Sequence, residues 1–435
     1  MKHIFLVLFL CGTFHIVAGQ EKSGYPLRMT LEQCIDFALN NNYSRESVRL
    51  NKEATQDRYN QSNMERLPNL SVTVGENLNY SKNNTAAWNG NYRLNSSLVL
   101  YQGGSINENI KKSRLSAEQT EYLIKQYDNE FVIRILHTFF SILGNEELLK
   151  YQQSLLKSSE EQVKLGIERF RSGEILESDY LLLQSQYNTD KNNIDETTIQ
   201  HENSLLALKN LLSIELRQGL EIVYPDTVDI EKMGLLPNEE TVLESALANF
   251  PDLRISRYNV EIAGVAVKIA KSGHYPTVNL TGSVGSEHLN GVSHFGTQFS
   301  DRFTAQAGIT VSIPIFDRSY TKSNITQSRI AMKQAELEEK QNKLNLQQTI
   351  SQEYQNVVSS LNSFKTSKIR EKAYSASFET YRKQYDAGSI TTVELLQQQD
   401  NYISALNEYI QDKYSFVLKR KILDVYIGLL TTTNQ

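Results

Sequence analysis

Proline is scarce in this chain and unevenly placed. All seven prolines fall at 26, 68, 225, 237, 251, 276 and 314, so 69–224 and everything after 314 contain none. Proline breaks helix interiors, and two tracts this long without it allow helices of unusual length. Cysteine is nearly absent: Cys11 lies in an N-terminal apolar run and Cys34 follows it. Loss of that run would leave one thiol and no internal disulfide. Elsewhere no stretch approaches the ~18 consecutive apolar residues of a membrane-spanning helix. If the chain crosses a membrane, it does so with strands. Positive charge is not in excess (45 Lys+Arg against 50 Asp+Glu, net −5), which argues against a nucleic-acid partner. No HExxH, Cys/His metal spacing, Walker A or GxGxxG occurs, and His137, His201, His274, His288 and His294 are scattered. His288 and His294 read as exposed loop residues. No catalysis, metal or cofactor is expected.

Residues 1–19 read as a secretory signal. Lys2 supplies the positive start, Ile4 to Leu10 the apolar core, and Val17-Ala-Gly19 the small-residue cleavage spacing. The other reading, a membrane anchor, needs about 20 apolar residues. Leu10 before Cys11 is a poor lipoprotein context, so no lipid anchor is expected.

The chain repeats itself. Glu168-Arg-Phe-Arg-Ser-Gly173-Glu-Ile175-Leu-Glu-Ser-Asp179 has the layout of Lys383-Gln-Tyr385-Asp-Ala-Gly388-Ser-Ile390-Thr-Thr-Val-Glu394. Phe170/Tyr385, Gly173/Gly388, Ile175/Ile390, Asp179/Glu394, Leu181/Leu396 and Gln184/Gln399 are all separated by 215. Each segment reads as a helix ending at a glycine and a second helix starting at once, because glycine tolerates the left-handed conformation of a helix end. Ala38-Leu39 and Pro68 match Ala246-Leu247 and Pro276 at an offset of 208. The step from 208 to 215 implies a loop seven residues longer in the second copy, between about 286 and 302. The divisions expected are a first repeat over 20–213, a linker over 214–238, a second repeat over 239–428 and a tail over 429–435. The long helices are placed at 105–171 and 320–387, their return helices at 175–212 and 389–428.

Before each long helix the hydrophobic period changes to 2. Leu70, Val72, Val74, Leu78 and Tyr80 alternate with polar or small residues, and the pattern resumes at Tyr92, Leu94, Leu98 and Leu100. Between them, 81–91 reads as a polar loop holding Trp88. In the second copy Val278, Leu280 and Val284 pair with Phe303 to Ile313. Hairpins are therefore placed at about 69–101 and 277–314. A soluble half-buried sheet would show the same alternation. In lipid, four strands from one chain leave open edges, so a membrane reading requires several chains sharing one barrel. A fibrous rod is the rival reading of the long helices, but it has no use for hairpins at duplicated positions.

With Pro68 and Pro276, the strand exits Leu100-Tyr-Gln-Gly-Gly104 and Ile315-Phe-Asp-Arg-Ser319, and the paired glycine tips, the chain resembles the TolC-type outer-membrane efflux proteins over almost its whole mature length. The resemblance implies an α+β membrane protein. Tandem-duplicated long helical hairpins would form a periplasmic α-barrel, and two β-hairpins per chain would give four strands to a trimeric 12-stranded outer-membrane β-barrel. It implies a Gram-negative outer-membrane location, a homotrimer, outer-membrane lipid around the barrel, a periplasmic adaptor, and an inner-membrane pump of RND or ABC type. It places Asp179 and Glu394 at the periplasmic entrance, with Tyr385 and Gln397 beside them. Arg171, Ser172, Gly173 and Glu174, with Asp386, Ala387, Gly388 and Ser389, would form the adaptor-docking tips. The other reading of Asp179 and Glu394 is a pair of solvated acids at helix starts. Where relatives carry a latching arginine this chain has Ile390, with Ile175 its counterpart, so the closed state must be held otherwise, with Tyr385 the candidate. The alternative function is a secreted or periplasmic structural coiled-coil protein.

Overall fold

A computed structural model describes residues 27–81, 84–223, 236–289 and 294–429. The expected signal sequence, the turn signals at 224–226 and all but the first residue of the tail lie outside these. Two helices of 67 residues dominate: α3 (Ser105–Arg171) and α8 (Tyr320–Asp386). At 1.5 Å per residue each runs roughly 100 Å. Their returns are α4 (Glu177–Leu211) and α9 (Thr392–Tyr426), both of 35 residues. These begin two to three residues later than the sequence suggests, because each tip spends residues on its glycine turn and on an extended N-cap, Leu176 or Thr391.

Before each long helix stands a broken one. The first copy has α1 (Leu31–Asn41) and α2 (Tyr43–Met64), the second α5 (Glu239–Asn249) and α6 (Pro251–Ser272). Thr30 starts α1 with a capping box to Gln33. Asn42 leaves the helical conformation, and its carboxamide oxygen accepts from Ser44 N (2.9 Å) and Arg45 N (3.0 Å). In the second copy Pro251 at the first helical position does the restarting.

The main core lies at the middle of the long helices. Phe131, Ile135, Phe139 and Ile142 of α3 recur at intervals of four, four and three and are almost fully buried. They share one cluster with Ala38, Leu208, Leu212, Ala246, Ile350, Val357, Leu406 and Leu423. A parallel pair, β1 (Leu27–Met29) with β4 (Leu220–Ile222), closes onto it. Each large apolar side chain so buried contributes about 1.5–3 kcal/mol. The tips lie far along the helices from this core, and the second has a small cluster of its own, Phe378, Tyr385 and Leu395, between α8 and α9.

The remaining strands form one antiparallel sheet in the order β2-β3-β5-β6: β2 (Asn69–Ser81), β3 (Asn84–Gln102), β5 (Thr277–Leu289) and β6 (Thr304–Ser312). Val72, Leu94, Val284 and Ala305 stand side by side across all four strands, so the apolar residues share one face. A bulge between Val99 and Tyr101 moves Tyr101 onto that face, opposite Val278. Leu70, Val72, Val74, Leu78, Ile309 and Val311 are exposed, and β2 and β6 keep a free edge each.

Two expectations fail here. Residues 84–91 are not loop but the start of β3, paired with β2 as Leu78↔Trp88 and with β5 as Gly90↔His288. Asparagine and glycine weaken strand signals in sequence, yet pairing with β2, and with β5 as well from Asn89 on, carries the strand through them. His288 is not an exposed loop residue. It is buried in β5 beside Trp88 and Tyr92, with Glu76 3.8 Å from its Nε2. Part of the longer second loop is helical, α7 (Phe295–Asp301), pinned to β5 where Gln298 Oε1 accepts from Leu289 N (2.8 Å) and Gln298 Nε2 donates to Leu289 O (3.0 Å). His294 precedes this helix and is exposed.

Candidate functional site

Both tips are built by the same local chemistry. Gly173 has φ +80° and Gly388 φ +72°, a conformation other residues enter only under strain. In the first tip Glu174 N donates to Arg169 O (2.8 Å) and Gly173 N to Phe170 O (3.1 Å). In the second, Ser389 N donates to Gln384 O and Gly388 N to Tyr385 O, both at 2.9 Å. These bonds satisfy carbonyls at each helix end. They also leave Arg171, Ser172, Gly173, Glu174, Asp386, Ala387, Gly388 and Ser389 exposed, so the eight residues of the expected docking tips stand together at solvent.

Asp179 and Glu394 occupy the third position of their return helices. Asp179 Oδ2 accepts from Leu176 N (3.3 Å), and Leu176 offers no side-chain acceptor in return. Glu394 makes a full capping box: its Oε2 accepts from Thr391 N (2.8 Å) and Oγ1 (2.9 Å), and Thr391 Oγ1 accepts from Glu394 N (3.3 Å). Those backbone and side-chain bonds from Thr391 hold the Glu394 carboxyl below its ordinary pKa. Both acids therefore have a local structural job at a positive helix end. Glu394 and Gln397 are exposed and Asp179 half-buried, and no hydrogen bond or ion pair joins the two acids among the described residues.

Tyr385 does not line an opening within the protomer. It is 2% exposed, packed with Phe378 and Leu395, its hydroxyl 3.4 Å from Thr392 Oγ1. Packing against Leu395 of the return helix buries it, whereas its counterpart Phe170 in the first tip is 38% exposed.

Sequence reasoning missed two features. Arg169, in the last turn of α3, crosses to the end of α8. Its Nη1 donates to Tyr385 O (2.9 Å), its Nη2 to Asp386 O (2.7 Å), and its guanidinium lies 5.1 Å from the Tyr385 ring centroid. The duplication could have flagged it, since its counterpart 215 residues on is Gln384. Farther from the tip, Asp190 of α4 is buried among polar groups of α3 and α9. Ser159 Oγ donates to its Oδ2, Gln399 Nε2 to the same oxygen (3.2 Å), and Gln186 Nε2 to its Oδ1 (2.9 Å). Burial raises its pKa, and the nearby Asp400 adds to the rise. The buried Gln399 Oε1 has no hydrogen-bond partner among the described residues. Asp190's counterpart is Ala405, again a departure between the copies.

No helix among the described residues is long and apolar enough to cross a membrane. That leaves the four-stranded sheet with its exposed apolar face as the element suited to lipid. The family model described as "Outer membrane efflux protein" matches residues 34–213 and 242–429, one match per copy. The outer membrane protein TolC of Salmonella enteritidis is 21% identical over 307 residues, 69% of this chain and 61% of that protein. The alkaline protease secretion protein AprF of Pseudomonas aeruginosa is 22% identical over 330 residues, 74% of this chain and 66% of that protein. The aligned part thus spans about two thirds or less of these relatives. Among solved structures, CusC superposes with a TM-score of 0.78 at 15% identity, covering 92% of both chains. The CmeC outer membrane channel of Campylobacter jejuni gives 0.75 at 18%, covering 92% of this chain and 85% of that one. With both repeats matched and the fold shared, this chain belongs to the outer membrane efflux protein family.

Proposed function

We propose that the protein is the outer-membrane exit duct of a tripartite efflux or type I secretion machine, conducting substrates passively and without catalysis. The observation that carries this reading is the open sheet. Four strands present one apolar face to solvent and keep two free edges. Unpaired edges are untenable in lipid, so the sheet requires closure with other copies. Three chains give twelve strands, and their long helices continue the barrel as a tunnel on the periplasmic side. The exposed tips are the docking surface for a periplasmic adaptor, which joins the duct to an inner-membrane pump of RND or ABC type. Family membership supports the efflux role, and the likeness to AprF, named for protease secretion, supports extending it to polypeptides.

In such a trimer, Asp179 and Glu394 place six carboxylates around the entrance, a ring that favours cations. The test is single-channel recording of purified protein in planar bilayers. Cation-selective currents from heat-modifiable trimers, altered in Asp179→Ala with Glu394→Ala, are the expected result. Current indifferent to the double substitution removes the acid ring and keeps the duct. A folded preparation that stays soluble as an elongated rod, with no insertion, favours the structural coiled-coil alternative.

A further inference from the structure

We propose that Arg169 is an intraprotomer latch: a positioning residue that fixes the first tip to the second and so sets the aperture of the entrance. The inference rests on the duct reading above.

The two hairpins of a protomer are joined firmly near the middle of the long helices, where the large apolar core lies. At the tips the apolar core has shrunk to a few side chains. There Arg169 supplies directional contacts. Two of its N–H groups bond the last carbonyls of α8, and its guanidinium lies on the ring of Tyr385. A cation at a helix C-terminus meets the negative end of the helix dipole, and a forked guanidinium can hold two carbonyls at once. Its side chain is only 14% exposed, so water screens these contacts weakly. The same residue is built into its own turn, because Arg169 O accepts from Glu174 N (2.8 Å) and Ser172 Oγ (3.0 Å). One side chain thus ties one glycine turn to the other.

The tie is asymmetric. At the matching place in the second tip stands Gln384, which is exposed, and among the described residues its side chain makes no equivalent bond to the first hairpin. Farther up, Arg382 pairs with Glu161 of α3 at 3.2 Å, but Glu161 is 53% exposed, and such a pair is weak. Movement of one tip past the other therefore has to break the Arg169 contacts. While they hold, the starts of α4 and α9, which carry Asp179 and Glu394, cannot separate.

Arg169→Ala, Arg169→Lys and Gln384→Ala test this in full-length protein. Hydrogen exchange at the tip amides of Gly173, Glu174, Gly388 and Ser389 reads the tie directly, without conduction. Loss of two hydrogen bonds to a charged donor speeds exchange there about tenfold or more. Lysine, a point charge without the fork, is expected between wild type and alanine, and Gln384→Ala at wild type. Single-channel conductance then rises several-fold in Arg169→Ala trimers. Unchanged tip exchange in a folded Arg169→Ala variant overturns the latch, as does an equal effect from Gln384→Ala. Faster exchange with unchanged conductance overturns its control of the aperture. If wild type does not conduct, the duct reading fails, while the exchange comparison still decides whether Arg169 ties the tips.

Discussion

Asp190 offers a decisive comparison between two substitutions. Its carboxylate receives hydrogen bonds from Ser159, Gln186 and Gln399, drawn from α3, α4 and α9, and burial holds its pKa above the ordinary carboxylate value. Replaced by alanine, it strands the amides of Gln186 and Gln399, while Ser159 keeps a bond to Leu155 O (3.0 Å). Each buried donor left unmatched costs about 1–3 kcal/mol, and neighbours in one network do not add fully, so the expected cost is about 2–5 kcal/mol. Asparagine keeps an acceptor in place, and its own N–H can serve Gln399 Oε1 once that amide turns over. It also removes the charge that burial penalises. Asp190→Asn is thus expected at or above wild-type local stability near neutral pH, with Asp190→Ala about 2–5 kcal/mol below it. Local opening is read amide by amide, so the measurement is hydrogen exchange around 159, 190 and 399, with core amides around 139 as the internal standard. The gap corresponds to about thirty-fold to several-thousand-fold faster exchange in alanine. The pH dependence has a definite sign. The folded chain binds a proton the unfolded chain releases, so local stability falls as pH rises from the ordinary value of 3.8 through the raised folded pKa, and levels above it. Asp190→Asn loses that slope. Equal exchange in the two variants, or a wild type as flat as asparagine, refutes the reasoning.

Three further outcomes follow from other parts of the chain. A Cβ at Gly285 would collide with Tyr92 O, so Gly285→Ala should force β5 from β3, read as faster exchange of the paired β3 and β5 amides, whereas Gly75→Ala, with open space around it, should not. Thr391→Ala removes half of the capping box at the start of α9 and should destabilise that turn by about 1 kcal/mol, read as faster exchange there. Since the folded Glu394 pKa lies below its ordinary 4.5, the same turn should loosen in wild type as pH falls from 4.5 through the folded value. Cys34 is fully buried and its thiol is pushed up to about 12, so it should resist alkylation at pH 8 in folded protein and react on denaturation.

The gross fold was legible because two signals are purely local. Absence of proline over 69–224, with glycines 173 and 388 in register, locates the long helices and their tips, and glycine at positive φ is a constraint no tertiary contact overrides. Alternation located the four strands, and it failed where contact chemistry took over. Residues 84–91 are strand because β2 pairs along them, joined by β5 from Asn89 on, and His288 is buried because Trp88 and Tyr92 lie against it. Neither fact has a trace in the spacing of polar residues.

At the tips the duplication itself separates what could be read from what could not. Positions matched at 215 carry the turn, which both copies need: the glycines and the acids at the third position of each return helix. Two positions that break the match carry contacts between the copies. Arg169 against Gln384 and Asp190 against Ala405 are such breaks, and both point from the first hairpin into the second. A duplicated chain whose halves pack side by side cannot use identical residues at a junction that is not itself symmetric. These two differences between the copies mark joints between the hairpins, and Arg169, in the last turn of α3, is the one nearer the tips.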